Sequence, residues 1–370
     1  MGVNVVKLGD YIKIQTGKLD ANASDTNGMY PFFTCAVEPL QINTYAYDCE
    51  CILVAGNGDL NVKYYNGKFN AYQRTYIIEI KNKELDIRYL YHFLTKYINI
   101  LRKNSIGGVI KYIKLGDLTD IKIPLPSVDK QQKIVSILDK ADEIRTKKKQ
   151  ANEKLDEFLK STFVDMFGDP VNNTKNYPVQ NIASFAKVKI GPFGSSLHKE
   201  EYITDGIPLV NPSQIVDEKI VFDSSVSITE KKYKELQAYW LQKDDIIIGR
   251  RGEIGRAAVV SNNVRCICGT GSLFIRINKP VIQPLILQKI ISSNTMKEKL
   301  LNNSVGVTMN NLNAGIIENL GIAIPPIEHQ NKFAQIVKKV EEQKQRNEKV
   351  IEQMDNLFNS LSQRAFKGEL

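Results

Sequence analysis

IKIPLPSVDKQQKIVSIL, residues 121–138, returns as LGIAIPPIEHQNKFAQIV at residues 320–337. The wider alignment, Asn104–Asp169 on Asn303–Gly368, runs without a gap at an offset of 199 residues and holds fifteen identities in 66 positions. In each copy an apolar run broken by proline gives way to a long, charged helical pattern. A helix used twice, each time after a separate globular segment, implies approximate two-fold internal symmetry.

The helical pattern has a period. Ile134, Ile137, Ala141, Ile144, Lys148, Ala151, Leu155, Phe158 and Thr162 follow an alternating spacing of three and four. Phe333, Ile336, Val340, Gln343, Asn347, Val350, Met354, Leu357 and Leu361 match them in the second copy. Apolar seams with charged flanks describe a coiled coil. Both helices begin just after proline, at Pro126 and at Pro325-Pro326, and the first stops at Phe167-Gly168-Asp169-Pro170. Each spans roughly 38 residues, on the order of 57 Å. Helix one ends where the second globular segment begins, and helix two starts where that segment ends. If the helices pack on each other they are therefore antiparallel, with a globular domain at each end. The expected seam turns polar at Lys148, Gln343 and Asn347. Such positions either fix register at a cost in stability or simply reach solvent at a loosened centre.

This reading predicts an α+β chain: two mixed α/β globular domains joined by a long antiparallel two-helix coiled coil, with pseudo-two-fold symmetry. The expected boundaries are 1–126 for the first domain, 127–168 for the first helix, 169–325 for the second domain and 326–370 for the second helix. Strand-like runs lie at Val5–Leu8, Ile52–Ala55, Tyr76–Ile80 and Ile121–Leu125, and again at Ile182–Ile190, Ile246–Gly249, Leu273–Ile277 and Gly321–Ile324. Helical patterns lie at Asp86–Leu101 and Pro284–Leu301. The turns Gly56-Asn57-Gly58-Asp59 and Arg250-Arg251-Gly252-Glu253 follow matching apolar strands, so the repeat extends weakly into the domains.

Composition narrows the function. Hydrophobic residues at 42% and charged residues at 25% describe a folded chain. No apolar run approaches the length of a bilayer span. The opening MGVNVVKLGDYIKIQTGK lacks the pattern of a signal peptide, and Gly2 leads into a strand pattern rather than a myristoylation signal. The expected location is the cytoplasm, with no membrane partner. Cys49 with Cys51, and Cys266 with Cys268, form C-x-C pairs that read as structural strand cysteines rather than as metal ligands. The net charge is +9, and it is unevenly placed. Residues 1–126 carry 15 Lys+Arg against 12 Asp+Glu, and residues 171–325 carry 18 against 13, whereas the helices are nearly neutral. The excess lies in the globular segments, as expected of surfaces that meet a polyanion.

Catalytic motifs are not found. There is no Walker loop, no complete G-x-G-x-x-G and no Asn-Pro-Pro-aromatic motif. Asn211-Pro212-Ser213 reads as a loop turn, and Asp59 with Glu79-Ile80-Lys81 lacks the second carboxylate of a metal pair. No catalytic residue and no metal site is expected. Binding chemistry remains, on the loops between strands. In the first domain the candidates are Thr16, Lys18, Tyr30, Lys63, Arg74, Lys103, Asn104 and Lys111. In the second they are Ser195, Ser196, His198, Lys199, Asn211, Gln214, Arg250, Arg251, Arg256, Asn310 and Asn311. Arg, Lys, Asn and Gln can read base edges, and the same groups with Ser and Thr hold phosphates.

A family resemblance rests on ordered motifs. Ile123-Pro124-Leu125-Pro126 leads to Gln131 and then to Met166-Phe167-Gly168-Asp169-Pro170. Ile324-Pro325-Pro326 leads to Gln330 and the closing Ala365-Phe366-Lys367-Gly368-Glu369-Leu370. Thr16-Gly17-Lys18 with Tyr30-Pro31-Phe32, and Gly194-Ser195-Ser196-Leu197 with Gly206-Ile207-Pro208-Leu209-Val210-Asn211, add an opening motif for each domain. Over essentially its whole length the chain resembles the specificity subunits of Type I restriction–modification enzymes. The resemblance implies two target-recognition domains, each reading one half of a bipartite sequence in double-stranded DNA, with the helices setting the spacer between half-sites. It implies no catalytic activity and no cofactor in this chain. The expected partners are two methyltransferase subunits, which bind S-adenosylmethionine and modify adenine, and two restriction subunits driven by ATP and Mg. A pseudo-two-fold scaffold would offer identical partners two nearly equivalent docking surfaces. Two other readings compete: a single-chain nuclease or methyltransferase, and a coiled-coil scaffold for proteins. The first lacks motifs, and the second predicts no steep salt dependence of DNA binding.

Overall fold

The computed structural model describes residues 4–107, 110–194, 196–252, 254–261, 264–303 and 312–366. The chain forms two compact units, one from Met1–Asn152 with Gln345–Leu370 and one from Glu153–Lys344. The division falls within both long helices, so each unit takes half of each. The fold is α+β, and among the described residues no helix is long and apolar enough to cross a membrane.

The first unit runs β1 (Val5–Lys7), β2 (Ile12–Thr16), β3 (Tyr30–Phe33), β4 (Leu40–Ile42), β5 (Tyr47–Ala55), β6 (Val62–Ala71) and β7 (Thr75–Ile80). It continues with α1 (Ile87–Asn104), the short α2 (Leu115–Thr119), β8 (Lys122–Pro124) and α3 (Val128–Phe167). Six strands form a sheet in the order β2-β7-β5-β6-β3-β4, with β3 parallel to β6 and the other neighbours antiparallel. Residues 51–55 read as an unbroken apolar run because β5 is central and covered on both faces. Ile52, Val54 and Ile78 join Leu8, Tyr89, Leu90 and Leu94 in one core, while Cys51, Leu53 and Ile77 join Phe33, Phe69 and Ala71 in another. That split is the two-residue period of a strand.

The second unit contains β9 (Val179–Asn181), β10 (Ala186–Ile190), β11 (Ile207–Val210), β12 (Ile215–Val216), β13 (Lys219–Ile220), β14 (Ser227–Ile228) and α4 (Glu230–Glu235). Then come β15 (Ile246–Gly249), β16 (Ala257–Val259), β17 (Ile267–Cys268), β18 (Ser272–Ile277), α5 (Pro284–Ser292), α6 (Asn294–Asn303), α7 (Ala314–Glu318), β19 (Gly321–Ala323) and α8 (Ile327–Ala365). Its sheet order β10-β18-β15-β16 repeats β2-β7-β5-β6, and the parallel pair β11–β17 repeats β3 against the end of β6. The long β6 is thus replaced by two short strands. The segment before β15 adds a further small core, in which Tyr233 and Trp240 stack at 4.4 Å and the buried Asp245 accepts two hydrogen bonds from Arg276 (2.8 and 2.6 Å).

Two expected elements are interrupted. The helix predicted over 284–301 breaks at Ser293, whose hydroxyl oxygen accepts the Met296 N–H (3.3 Å) and so starts α6 afresh. The strand predicted from Ile182 begins only at Ala186, because Ile182–Ser184 is a turn of 3-10 helix whose buried Ile182 enters the core.

A buried glutamine fastens each long helix to its domain. Gln131 Oε1 accepts the Asp86 N–H at 2.8 Å, while its amide nitrogen donates to the Glu84 and Pro126 carbonyls at 2.7 and 2.8 Å. Asp86 in turn caps α1 through the N–H groups of Arg88 and Tyr89. Gln330, 199 positions later, does the same: it accepts the Gln283 N–H (2.7 Å) and donates to the Val281 and Pro325 carbonyls (3.2 and 2.8 Å).

Within each unit, taken by itself, half of α3 packs antiparallel on half of α8. In the first unit Arg145 pairs with Asp355 (3.0 Å) and Asn347 donates to Asn152 (2.8 Å); in the second Lys344 pairs with Asp156 (2.7 Å) and Phe163 meets Phe333 (5.4 Å between rings). The seam differs from the expected spacing at alternate positions. Ile137 is 46% exposed beside Leu138 at 1%, and Phe158 is 49% exposed beside Leu159 at 5%. Ile144 and Leu357 are also exposed, while Ile336 and Val350 are half-buried. The inward stripe is Ile134, Leu138, Ala141, Arg145, Lys148, Asn152, Leu155 and Leu159, met by Phe333, Val337, Val340, Lys344, Asn347, Ile351, Met354, Phe358 and Leu361. Adjacent apolar pairs such as Ile137-Leu138, Phe158-Leu159 and Leu357-Phe358 make both spacings look apolar in sequence. The domain helix decides between them: α1 presents His92 to Phe358 and to Asp139, so the stripe turns toward it. The polar centre is hydrogen-bonded rather than solvated, with Lys148 donating to the 2%-exposed Asn347 at 3.3 Å. Gln343 lies on the exposed flank.

Two stability measurements check this packing. Gln131→Ala strands the Asp86 N–H and two carbonyls, and should cost about 1–3 kcal/mol in denaturant unfolding. Leu138→Ala should cost about 2–5 kcal/mol while Ile137→Ala costs under about 1. Equal costs would return the seam to the spacing through Ile137.

Candidate nucleic-acid interface

β2 and β5 end, and β7 begins, at one end of the first sheet, because both run antiparallel to β7. Backbone contacts draw the loops there together. Lys18 N–H donates to the Ala71 carbonyl at 3.2 Å, and a Cβ on Gly17 would lie 2.2 Å from that oxygen, so only glycine passes. Gly56 N–H donates to the Arg74 carbonyl (2.8 Å), Gly58 N–H to the Lys111 carbonyl (2.9 Å) and Ile113 N–H to the Gly56 carbonyl (3.0 Å). Thr16, Lys18, Arg74 and Lys111 are thereby gathered at one edge, all exposed. Lys103 and Asn104 form the exposed last turn of α1, which is tied to the same edge by Arg102 donating to the Leu60 carbonyl (2.6 Å). Two candidates stand apart. Lys63 is half-buried, donates to Asn61 and is pushed below the ordinary lysine range by burial, so its ammonium serves the loop. Tyr30 opens β3, three residues back from the Phe33–Ala71 pair, and packs on Tyr45 at 5.0 Å.

The same end of the second sheet is assembled by the same contacts. A Cβ on Gly191 would lie 1.9 Å from the Gly269 carbonyl oxygen. Arg250 N–H donates to the Gly271 carbonyl and Leu312 N–H to the Arg250 carbonyl, both at 3.0 Å. Arg250 therefore occupies the place of Gly56, and the repeat changes from no side chain to a guanidinium. Arg250 is buried, and burial together with the neighbouring charge of Arg251 holds it below the ordinary arginine range. Arg251 is exposed and Arg256 half-buried. Asn211 and Gln214 brace the loop from within: Asn211 Oδ1 accepts the Gly271 N–H (3.4 Å), and the buried Gln214 accepts the Asn211 N–H (3.3 Å). Their amides are therefore engaged by the protein. Ser196 is half-buried, His198 and Lys199 are exposed, and the His198 N–H donates to Glu201 (2.8 Å). Ser195, Asn310 and Asn311 lie outside the described residues.

Charge marks these ends. Lys18, Arg74, Lys103 and Lys111 in the first unit, and Arg251 in the second, make no ion pair among the described residues. Elsewhere some cations are matched, as in Arg88–Asp139 (2.5 Å) and Arg265–Glu230 (2.7 Å), and others, such as Lys130 and Lys149 on α3, have no ion pair among the described residues, so it is the gathering of the loops by backbone contacts that sets these ends apart. Unpaired, exposed cations gathered at loop ends attract a polyanion. The sequence reading passed over the hairpin that carries Ile106 and Tyr112 to the first edge, joined by two hydrogen bonds of 3.1 and 2.8 Å. The identities Asn104, Ser105 and Gly107 across the repeat were the signal that could have found it.

Among the described residues no three His, Cys, Asp or Glu side chains gather as metal ligands. Burial pushes the Cys266 thiol up to about 12 and raises Cys51 and Cys268 as well, so these cysteines stay protonated in the cores. Asp59 pairs with Arg102 at the loop edge (3.3 Å), whereas Glu79 faces Lys13 toward the far end of β7.

Comparison with known proteins agrees with this geometry. The pattern of the Type I restriction modification DNA specificity domain matches residues 1–157 and 175–354. The Type I restriction enzyme EcoDI specificity subunit of Escherichia coli is 50% identical over 137 residues, covering 36% of this chain and 30% of that protein. The match thus spans less than a third of that relative. The EcoBI specificity subunit of Escherichia coli is 23% identical over 353 residues, 87% of this chain and 74% of its own. In fold, the crystal structure of the Type-I restriction-modification system S subunit from M. genitalium superposes with a TM-score of 0.62 at 17% identity, covering 98% of this chain and 96% of that one. With one such pattern matched in each repeat, the chain belongs to the Type I restriction modification DNA specificity domain family.

Proposed function

We propose that this chain is the DNA-reading subunit of a Type I restriction–modification complex, with each domain reading one half of a bipartite target. The observation that carries this reading is how the two units compare. They share sheet order, glycine crossings and the glutamine fastening, yet carry different side chains on the loops gathered at the corresponding sheet end. A common scaffold with different tips suits two readers of different base sequences. Chemistry then belongs to the partners: S-adenosylmethionine on methyltransferase subunits, ATP and Mg on restriction subunits. The complex works in the cytoplasm, and the helices set the spacer between half-sites.

The exposed side of the helix seam supplies the docking faces. In the first unit Ile137, Ile144 and Leu357 are exposed on the flank away from α1; in the second Phe158 is exposed beside the half-buried Ile336. In an antiparallel pair, corresponding flank positions of the two helices line the same side, so each unit offers one apolar strip. Two methyltransferase subunits, one per strip, fit the repeat.

Three measurements test the reading. Co-expression with the methyltransferase partner should yield methylated adenines in one split motif across a genome, and methylation without a motif would sink the proposal. Arg251→Ala should weaken recognition of one half-site by about 1–3 kcal/mol, read by competition with half-site variants. Equal relaxation at both half-sites would contradict one domain per half-site. Ile144→Lys should abolish co-purification of one methyltransferase copy while leaving unfolding unchanged; retention of both copies would place docking elsewhere.

A further inference from the structure

The loop that leaves β3 lies over the strand ends of the first unit and is fixed there from several sides. The Phe33 carbonyl, at its start, accepts the Tyr72 N–H (2.9 Å) and the hydroxyl of the buried Thr75 (3.2 Å). The Cys35 thiol donates to the Arg74 carbonyl (3.6 Å), and the Asn61 amide donates to the Cys35 carbonyl (2.8 Å). The buried Thr34 closes the turn, its hydroxyl oxygen accepting the Ala36 N–H (3.2 Å). The Arg74 carbonyl also takes the Gly56 N–H, so the loop belongs to the same edge as Lys18 and Arg74. With the backbone held in this way, Ale36 is left exposed and Val37 is 59% exposed.

The second unit puts its corresponding loop in the same place. Val210 pairs in parallel with Cys268 as Phe33 pairs with Ala71, so Asn211-Pro212-Ser213 follows β11 where Thr34-Cys35-Ala36 follows β3. Gly271 stands for Arg74, because its carbonyl takes the Arg250 N–H, and a Cβ added there would come within 2.9 Å of the Pro212 ring. The position is common to both units while the side chains differ. One loop is polar and bonded within the protein, and the other shows Ala36 and Val37. Aliphatic side chains offer a base edge no hydrogen bond. In the major groove the group they suit is the 5-methyl of thymine. Lys18 and Arg74, exposed at the same edge, supply charge for the neighbouring phosphates.

We propose that Val37 is a specificity-determining residue of the first domain and reads a thymine of its half-site through the 5-methyl group. The contact rests on the DNA-reading function above and adds to it one base and one chemical group. Being apolar, it discriminates between bases without changing the number of phosphates neutralised.

The test uses the assembled complex of this chain with methyltransferase subunits, bound to a duplex that carries its target. Each thymine of the target, on either strand, is replaced in turn by deoxyuridine, which removes only the methyl group. Wild type should bind at least one such duplex about four-fold more weakly, the worth of one buried methyl. Val37→Ser should bind the thymine and deoxyuridine forms of that duplex equally, and keep the wild-type response at thymines of the other half-site. Its unfolding temperature, methyltransferase content and salt dependence of binding should not change. A variant that keeps wild-type sensitivity at every thymine overturns the contact, as does a wild type indifferent to every replacement. Loss of a methyltransferase subunit from the variant with thymine sensitivity intact would make Val37 a protein contact, and also overturns it. Wild type that binds no duplex at all would instead remove the DNA-reading function, and the contact with it.

Discussion

Gln131 is fully buried, and its three hydrogen bonds join the cap of α1, the strand-to-helix linker and the first turn of α3. Each of those backbone groups would otherwise be stranded at a buried helix start. A glutamine amide meets the need because one acceptor and two donors sit at its tip in a fixed plane. The fastening orients the long helix on its domain, and Gln330 repeats it with equivalent backbone partners, the Gln283 N–H and the Val281 and Pro325 carbonyls, in the second unit. The seam and the exposed flank depend on that orientation. If the helix turned by one residue about its axis, the apolar flank would move off the exposed side.

The loop edges follow from a different constraint, close backbone approach. Gly17 and Gly191 let one strand end cross another with no room for a side chain. That crossing is common to both units, so the edge persists while the residues mounted on it change. Arg250 in the place of Gly56 is the clearest case, since the hydrogen bonds on either side are retained and only the side chain is new. At that position the side chain changes while the backbone contacts survive.

Much of this was legible in the sequence, and the limits have physical causes. The repeat, both long helices with their start points, the central strands and the match of Gly56 to Arg250 could all be read from periodicity and spacing. The seam could be read only at alternate positions, since Ile137-Leu138 and Phe158-Leu159 satisfy either heptad spacing. The break at Ser293 was hidden because the apolar pattern continues through it. Among the candidate contacts, Lys63 and Gln214 look like free polar side chains in sequence, yet they are engaged by Asn61 and by the Asn211 backbone.

The sequence alone determined the duplication, the helical and strand segments and the basic character of the domains, because these rest on local periodicity and on charge. Only the tertiary structure decided which face of each long helix is buried and which loop side chains are gathered at the sheet ends. Those features arise from contacts between residues far apart in the chain. Packing against α1 and the crossing of strand ends select among alternatives that local sequence leaves nearly equal in energy.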